Sequence, residues 1–355
     1  MRKLVILGGG YGGMRILQRL LPNKVPKDVE IYLVDKVPYH CFKTEFYALA
    51  AGTVPDVEIR LTFPNHSPLK FINDWVTGID LDNQKVVLKD HEDLSYDDLI
   101  IGLGCENNYH NVPGADQYTY GIQSIEATRK TYNALSNLPK GSKVAIIGAG
   151  LSGVEIASEL YESRPDLNIS LFDRGKMVLS SLSVKIGNYV QKWFEERGIT
   201  VVNESNITKV EEGILYNHGE PLQFDAIVWT AGIRANKVVR DLPVKKDKKG
   251  CVYLTPYHNI PGYENVYVVG DCAHLPHAPT AQLAEAQGDQ IVKVLQMRWN
   301  NEPLPKTLPT IKLKGTLGSL GKKHGFGLVA DKSLTGKVPR LLKSGVLWMY
   351  KVQNS

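Results

Sequence analysis

The sequence predicts an α/β protein built from two copies of one parallel-stranded unit. Three observations predict it. A glycine-rich loop stands between an apolar tetrad and a helical stretch near the N-terminus, and the same arrangement returns at Gly148. Each copy then runs into a strand pattern that ends in an acid.

In the first copy, Leu4-Val5-Ile6-Leu7 has the continuous apolar character of a strand covered on both faces. Gly8-Gly9-Gly10-Tyr11-Gly12-Gly13 follows at once, then Met14 to Leu21 at helical spacing, then Glu30-Ile31-Tyr32-Leu33-Val34-Asp35. Strand, GxGxxG, helix, strand, acid is the order that a dinucleotide site needs. Gly8 makes the tight turn, Gly10 lets the backbone approach a pyrophosphate, and Gly13 lets the helix lie close on the strand. The first helical amides then face the phosphates, and Asp35 is placed to accept hydrogen bonds from a ribose hydroxyl pair.

The second copy repeats each part. Lys143 to Ile147 is the strand, Gly148-Ala149-Gly150-Leu151-Ser152-Gly153 the loop, Val154 to Leu160 the helix, and Asn168 to Asp173 the strand closing in an acid. Gly148, Gly150 and Gly153 take the roles of Gly8, Gly10 and Gly13. A carboxylate at Asp173 pairs with a free 2′-hydroxyl and repels a 2′-phosphate, which predicts NADH in preference to NADPH. Arg174, its neighbour, works in the opposite direction.

Two later segments, Asp97 to Gly104 and Asp225 to Gly232, are each an acid, a buried strand and small residues, returning the chain beneath its own dinucleotide. Glu264 to Asp271 is a further strand, ending in Gly270-Asp271.

The length of 355 residues accommodates two ordinary domains, and the apolar and charged shares exclude disorder and a multi-span membrane protein. Met1-Arg2-Lys3 runs straight into the first strand. No signal peptide is therefore expected, and the expected compartment is the cytoplasm. Cys41, Cys105, Cys251 and Cys272 form no CxxC pair, so neither a disulfide framework nor a metal site is expected. The net charge of +5 is uneven: from Leu304 onward ten Lys or Arg face the single acid Asp331, a net +9, leaving −4 for the rest. A basic tail on a mildly acidic body points to an anionic surface, for which a membrane is the expected partner and nucleic acid is not.

The order GxGxxG, (I/V)xxG, GxGxxG, TAG, GD resembles the flavoprotein superfamily related to glutathione reductase. That resemblance implies two Rossmann-like dinucleotide-binding domains, an NAD domain inserted in an FAD domain. Gly8, Gly10, Gly13, Asp35 and Gly104 would serve FAD, with Asp271 on its ribityl chain, and Gly148, Gly150, Gly153 and Asp173 would serve NADH. A narrower resemblance is to the type II NADH dehydrogenases, carried by Asp35-Lys36-Val37-Pro38-Tyr39-His40 with Ala50-Ala51-Gly52-Thr53, by Gly104 to Tyr109 with Val112-Pro113-Gly114, and by Pro279-Thr280-Ala281-Gln282-Leu283-Ala284-Glu285-Ala286-Gln287-Gly288. It implies electron transfer from NADH through FAD to a quinone, menaquinone or ubiquinone, without proton pumping. Glu155 matches a family glutamate near the nicotinamide and flavin, and Gln282 and Gln287 lie in the motif held to form the quinone site.

The expected division is 1–115 and 259–325 for the FAD-binding domain, 116–258 for the NADH-binding domain, and 326–355 for a basic tail offered to the cytoplasmic face of the membrane. In that tail Arg340, Lys343 and Lys351 are expected to meet headgroups while Leu341, Leu342, Leu347, Trp348 and Met349 enter the interface. Gly345 argues against a regular helix there, and a homodimer is an open expectation. Ala286 departs from the family by replacing the first of paired glutamines. Two other readings stay open: a thiol-dependent disulfide or peroxide reductase using Cys41, and a flavin- and NADH-binding redox sensor with weak quinone turnover.

Overall fold

In chain order, the elements that position the sites are β1 (Arg2–Leu7), α1 (Tyr11–Leu20), β2 (Val29–Asp35), α2 (Phe46–Ala50), β3 (Leu69–Asn73), β4 (Asp98–Ile101), β5 (Lys143–Ile147), α3 (Leu151–Ser163), β6 (Asn168–Phe172), β7 (Ala226–Trp229), β8 (Tyr263–Val268), α4 (Ala281–Trp299), β9 (Gly315–Leu320) and α5 (Lys337–Asn354). The structure, a computed structural model, describes residues 1–354.

The chain divides into two units. The first takes Met1–Cys41, Leu61–Glu106 and Ile233–Leu313; the second takes Phe42–Arg60, Asn107–Gly232 and the residues from Lys314 onward. These limits differ from those expected at 115/116 and 258/259. The reason lies in packing: α2, buried along its whole length, packs on α3 and on the helix Ile125–Ser136, and β9 packs on α3.

In the first unit the sheet order is Asn259–Ile260, β8, β4, β1, β2, β3, and the five named strands run parallel. Leu7 lies opposite Val34 and Ile101, and Val268 lies opposite Ile101, so these strands finish at one edge. Both faces of β1 are covered, which explains its unbroken apolar run. Leu4 and Ile6 pack with Met14, Leu17 and Leu20 of α1 and with Ile291 and Leu295 of α4. Val5 and Leu7 pack on the other side with Val86, Leu99 and Val268. Burial of each such side chain stabilises by roughly 1.5–3 kcal/mol.

The second unit repeats the plan with five parallel strands in the order Tyr120–Gly121, β7, β5, β6, Thr200–Val202. β9 opens a three-stranded antiparallel sheet with His324–Val329 and Lys332–Gly336. Against the sequence expectation, α5 is helical through Gly345, and it packs on that sheet. Among the described residues no helix is long and apolar enough to cross a membrane.

Candidate functional site

Each unit ends its parallel strands in the same construction. Gly8 follows β1 at φ +98° and Gly148 follows β5 at φ +101°, both in the left-handed region that a side chain rarely adopts. A Cβ on Gly13 would collide with the Gly8 carbonyl, and one on Gly153 with the Gly148 carbonyl, so each helix lies directly on its loop. Gly10 and Gly150 differ: a Cβ there meets nothing within 4 Å, because both face open space.

The two acids are held alike as well. Asp35 accepts from the Gly9 amide through Oδ2 at 2.6 Å and from the Val37 amide through Oδ1 at 3.0 Å. Asp173 accepts from the Ala149 amide at 2.6 Å and from the Gly175 amide at 2.7 Å. The acid predicted for ribose thus also pins the glycine loop to the next strand.

The helix starts carry the clearest signal. The helices Ile125–Ser136, Val184–Glu195 and α4 begin under the side-chain oxygens of Ser124, Ser183 and Thr280. Gly10 and Gly150, at the N-caps of α1 and α3, supply no such oxygen. The helix dipole at both starts favours negative charge. Gly10 and Gly150 leave room for an extended diphosphate at those helix starts, since a Cβ on either would meet nothing within 4 Å.

In the first unit β4 and β8 bring two more turns to the same edge. Gly104, at φ +69°, has open space at its Cβ position. Gly270, at φ +76°, leads into Asp271, whose Oδ2 accepts from the Cys105 thiol at 3.0 Å. Gln287 is fully buried; its Oε1 accepts from the Gly270 amide at 2.9 Å, and its Nε2 is buried with no protein partner among the described residues. Gln287 therefore holds the Gly270-Asp271 turn, while Gln282 and Ala286, one turn apart on α4, are both partly exposed.

In the second unit Glu155 is buried on the first turns of α3, where its Oε1 accepts from the Ser319 amide at 3.0 Å and from Lys343 Nζ at 2.5 Å. Lys343 also donates to the Tyr47 hydroxyl at 2.7 Å. Burial opposes its charge, but Glu155, Tyr47 and Glu45 beside it raise its pKa on balance. Lys343 thus points into the protein rather than toward a headgroup, which corrects the expectation for the tail. Burial raises the carboxyls of Glu45 and Glu159 in the same cluster.

The family model for pyridine nucleotide-disulphide oxidoreductases matches residues 2–288, a span that takes in both glycine loops and the Gly270-Asp271 turn. The chain belongs to the pyridine nucleotide-disulphide oxidoreductase family. It is 63% identical over 354 residues, and the full length of both chains, to the NADH dehydrogenase-like protein YutJ of Bacillus subtilis (strain 168). It is 27% identical over 380 residues to the type II NADH:quinone oxidoreductase of Staphylococcus haemolyticus, covering 96% of this chain and 93% of that one. Its fold is shared with NDH2 from Plasmodium falciparum in complex with NADH, at a TM-score of 0.84, 18% identity and coverage of 98% and 94%. It is also shared with the sulfide:quinone oxidoreductase of Aquifex aeolicus, at 0.81, 18% identity and coverage of 100% and 92%. The predicted fold class and the oxidoreductase assignment are both borne out.

Within this family member, three residues near the sites were not singled out from the sequence as contributors. His40 is buried, with Nδ1 at 2.7 Å from the Gly9 carbonyl and its ring edge-on to Tyr11 at 5.1 Å. Burial pushes its pKa down to about 4, against the opposing pull of that carbonyl, so the ring is neutral and Nδ1 is the donor. Its only signal in the sequence was its place in the Tyr39-His40 pair. Cys105 and Lys343 are the others. A thiol 166 positions from its carboxylate, and a lysine 188 positions from its glutamate, leave no local pattern to read. Among the described residues no group of three or more His, Cys, Asp or Glu is arranged to hold a metal ion.

Proposed function

We propose that this oxidoreductase is an FAD-dependent NADH dehydrogenase that delivers the electrons to a quinone, menaquinone or ubiquinone, without pumping protons. The observation that carries the reading is the pair of uncapped helix starts, each with its acid-pinned glycine loop, in one chain. Two such sites suit two dinucleotides.

FAD, when bound, supplies the two-electron chemistry that links hydride donor to acceptor. Gly8, Gly10, Gly13 and Asp35 would hold its diphosphate and ribose, and Gly104 and Asp271 its ribityl side. Gly148, Gly150, Gly153 and Asp173 would hold NADH, with the Asp173 carboxylate disfavouring NADPH. Glu155 would stand near the nicotinamide, and Gln282 and Gln287 on the acceptor side. The relative named type II NADH:quinone oxidoreductase supports the acceptor class.

The exposed apolar residues of α5, with Leu341 at 71% and Trp348 at 65%, support a peripheral contact with the cytoplasmic face of the membrane, Arg340 and Lys351 supplying charge. A homodimer fits the same reading.

One observation favours a second reading, a flavin- and NADH-binding redox sensor with weak quinone turnover. Gln287 is committed to Gly270, and Ala286 offers no amide, which leaves Gln282 to meet an acceptor carbonyl.

The test is anaerobic. The purified protein is expected to be yellow, to bleach with NADH more readily than with NADPH, and to recolour with a soluble quinone. A colourless protein that takes up no FAD sinks the proposal. Bleaching without recolouring by quinone selects the sensor, and turnover with disulfide alone that Cys41→Ser abolishes selects the thiol reductase.

A further inference from the structure

Trp75 stands beside the acid of the first glycine-loop site, 49% exposed. Strand register puts it there. Asp35 ends β2 opposite Asn73, the last residue of β3, and the Asp35 carbonyl accepts from the Asn73 side-chain amide at 2.9 Å and from the Asp74 amide at 3.1 Å. Trp75 is the next residue. Its amide donates to Asp74 Oδ1 at 2.6 Å, and its carbonyl accepts from the Lys89 amide at 3.0 Å. Asp74 is itself buried and accepts from the His91 amide at 2.9 Å. The backbone that carries the indole is therefore fixed on both sides. Lys36, the residue after Asp35, holds its Nζ 4.5 Å from the indole centroid, a cation–π contact that tethers the ring to the end of β2.

The second unit is built differently at this one place. Phe172 lies opposite Val202, so Asn203 takes the position of Asn73 opposite the acid, and Ser205 takes that of Trp75. Ser205 is only 4% exposed, and its amide donates to the Asp173 carbonyl at 2.8 Å. Two sites with matching loops, helix starts and acids thus part here: an exposed indole beside Asp35, a buried serine beside Asp173.

The difference has a chemical use. Asp35 is placed for the hydroxyls of a ribose, and the base of an adenosine is bonded to that same ribose. Adenine is planar, and an exposed, fixed indole is a surface on which a base can stack. A prosthetic group has to stay bound through every turnover, whereas a nicotinamide co-substrate has to leave after each one. Stacking on one site alone separates the two affinities.

We infer that Trp75 is the adenine platform of the first site, and that it makes this site the retentive one of the pair. This rests on the FAD reading above.

The experiment measures FAD binding by full-length apoprotein, followed by flavin fluorescence, with no turnover involved. Trp75→Ala is expected to raise the Kd for FAD about tenfold, and Trp75→Phe, which keeps a ring, to stay within about threefold of wild type. Trp75→Ala binding FAD as tightly as wild type overturns this inference alone, and so does an equal loss in both variants. Wild-type protein that takes up no FAD overturns both the inference and the reading it rests on. Tryptophan emission provides a second readout, which decides if Trp75→Ala does not fold. ADP, which carries the adenine without the flavin, is expected to quench the emission of wild-type apoprotein more than that of Trp75→Phe. Equal quenching of the two proteins overturns the inference.

Discussion

Lys343, on α5, donates to the Glu155 carboxylate at 2.5 Å, and the side chains are only 13% and 9% exposed. An ion pair so enclosed is worth little against a well-packed apolar pair, but removing one partner strands the other charge. Lys343→Met is expected to destabilise the protein by about 3–5 kcal/mol. Adding Glu155→Gln should recover part of that loss, so that the two changes are non-additive in denaturant titrations by more than about 1 kcal/mol. Strict additivity would mean that the pair contributes nothing as a pair.

The two glycine loops allow the sites to be switched off separately. Gly13→Ala drives a methyl into the Gly8 carbonyl, and Gly153→Ala drives one into the Gly148 carbonyl and toward Thr230 Oγ1. Gly13→Ala is expected to yield protein without flavin. Gly153→Ala is expected to stay yellow while losing its response to NADH. Loss of flavin in the second variant, read from the visible spectrum, would show that the assignments are reversed or shared.

Gln282 and Gln287 are expected to part company under mutation. Gln287→Leu deprives the partly buried Gly270 amide of its acceptor, a loss of about 1–3 kcal/mol in stability accompanied by weaker flavin retention. Gln282→Ala, on the partly exposed side of α4, is expected to leave both intact and to slow only reoxidation by quinone. Stopped-flow traces of the two half-reactions distinguish these outcomes.

His40 gives the fold a defined pH dependence. Its pKa is about 4 in the folded protein, below the ordinary histidine value of 6.5. The unfolded chain therefore binds the extra proton first, and stability falls as pH drops from about 6.5 toward 4. Between pH 6.5 and 4.5 this group alone accounts for about 2 kcal/mol. His40→Asn, which keeps a donor for the Gly9 carbonyl, is expected to flatten that part of the stability–pH curve, and denaturation midpoints at the two pH values measure it. An unchanged slope would show that other groups dominate.

What was legible in the sequence follows from the range of each interaction. Gly8 to Asp35 and Gly148 to Asp173 are local patterns in which each residue's task depends on near neighbours, and both constructions were predictable element by element. The tail was not. Lys343 looked like one more cation in a basic run because its partner lies in α3, and Gly345 was read as a helix breaker because packing of α5 on the β9 sheet cannot be seen in a local pattern. The grouping of Phe42–Arg60 with the second unit was hidden for the same reason. Five successive buried residues in α2 give neither a helical nor a strand period until their neighbours are known.

The distance in sequence between Glu155 and Lys343 also sets an order of events in synthesis. Their separation is 188 positions, and at about 5–20 residues per second the ribosome needs roughly 10–40 s to make the second after the first. Throughout that interval α3 has a glutamate destined for burial and no cation to meet it. The packing of α3 around Glu155 is therefore expected to be completed only once the last helix has been made. A pulse-labelled nascent chain arrested before residue 343 would remain sensitive to protease across α3 long after β5 and β6 had been synthesised.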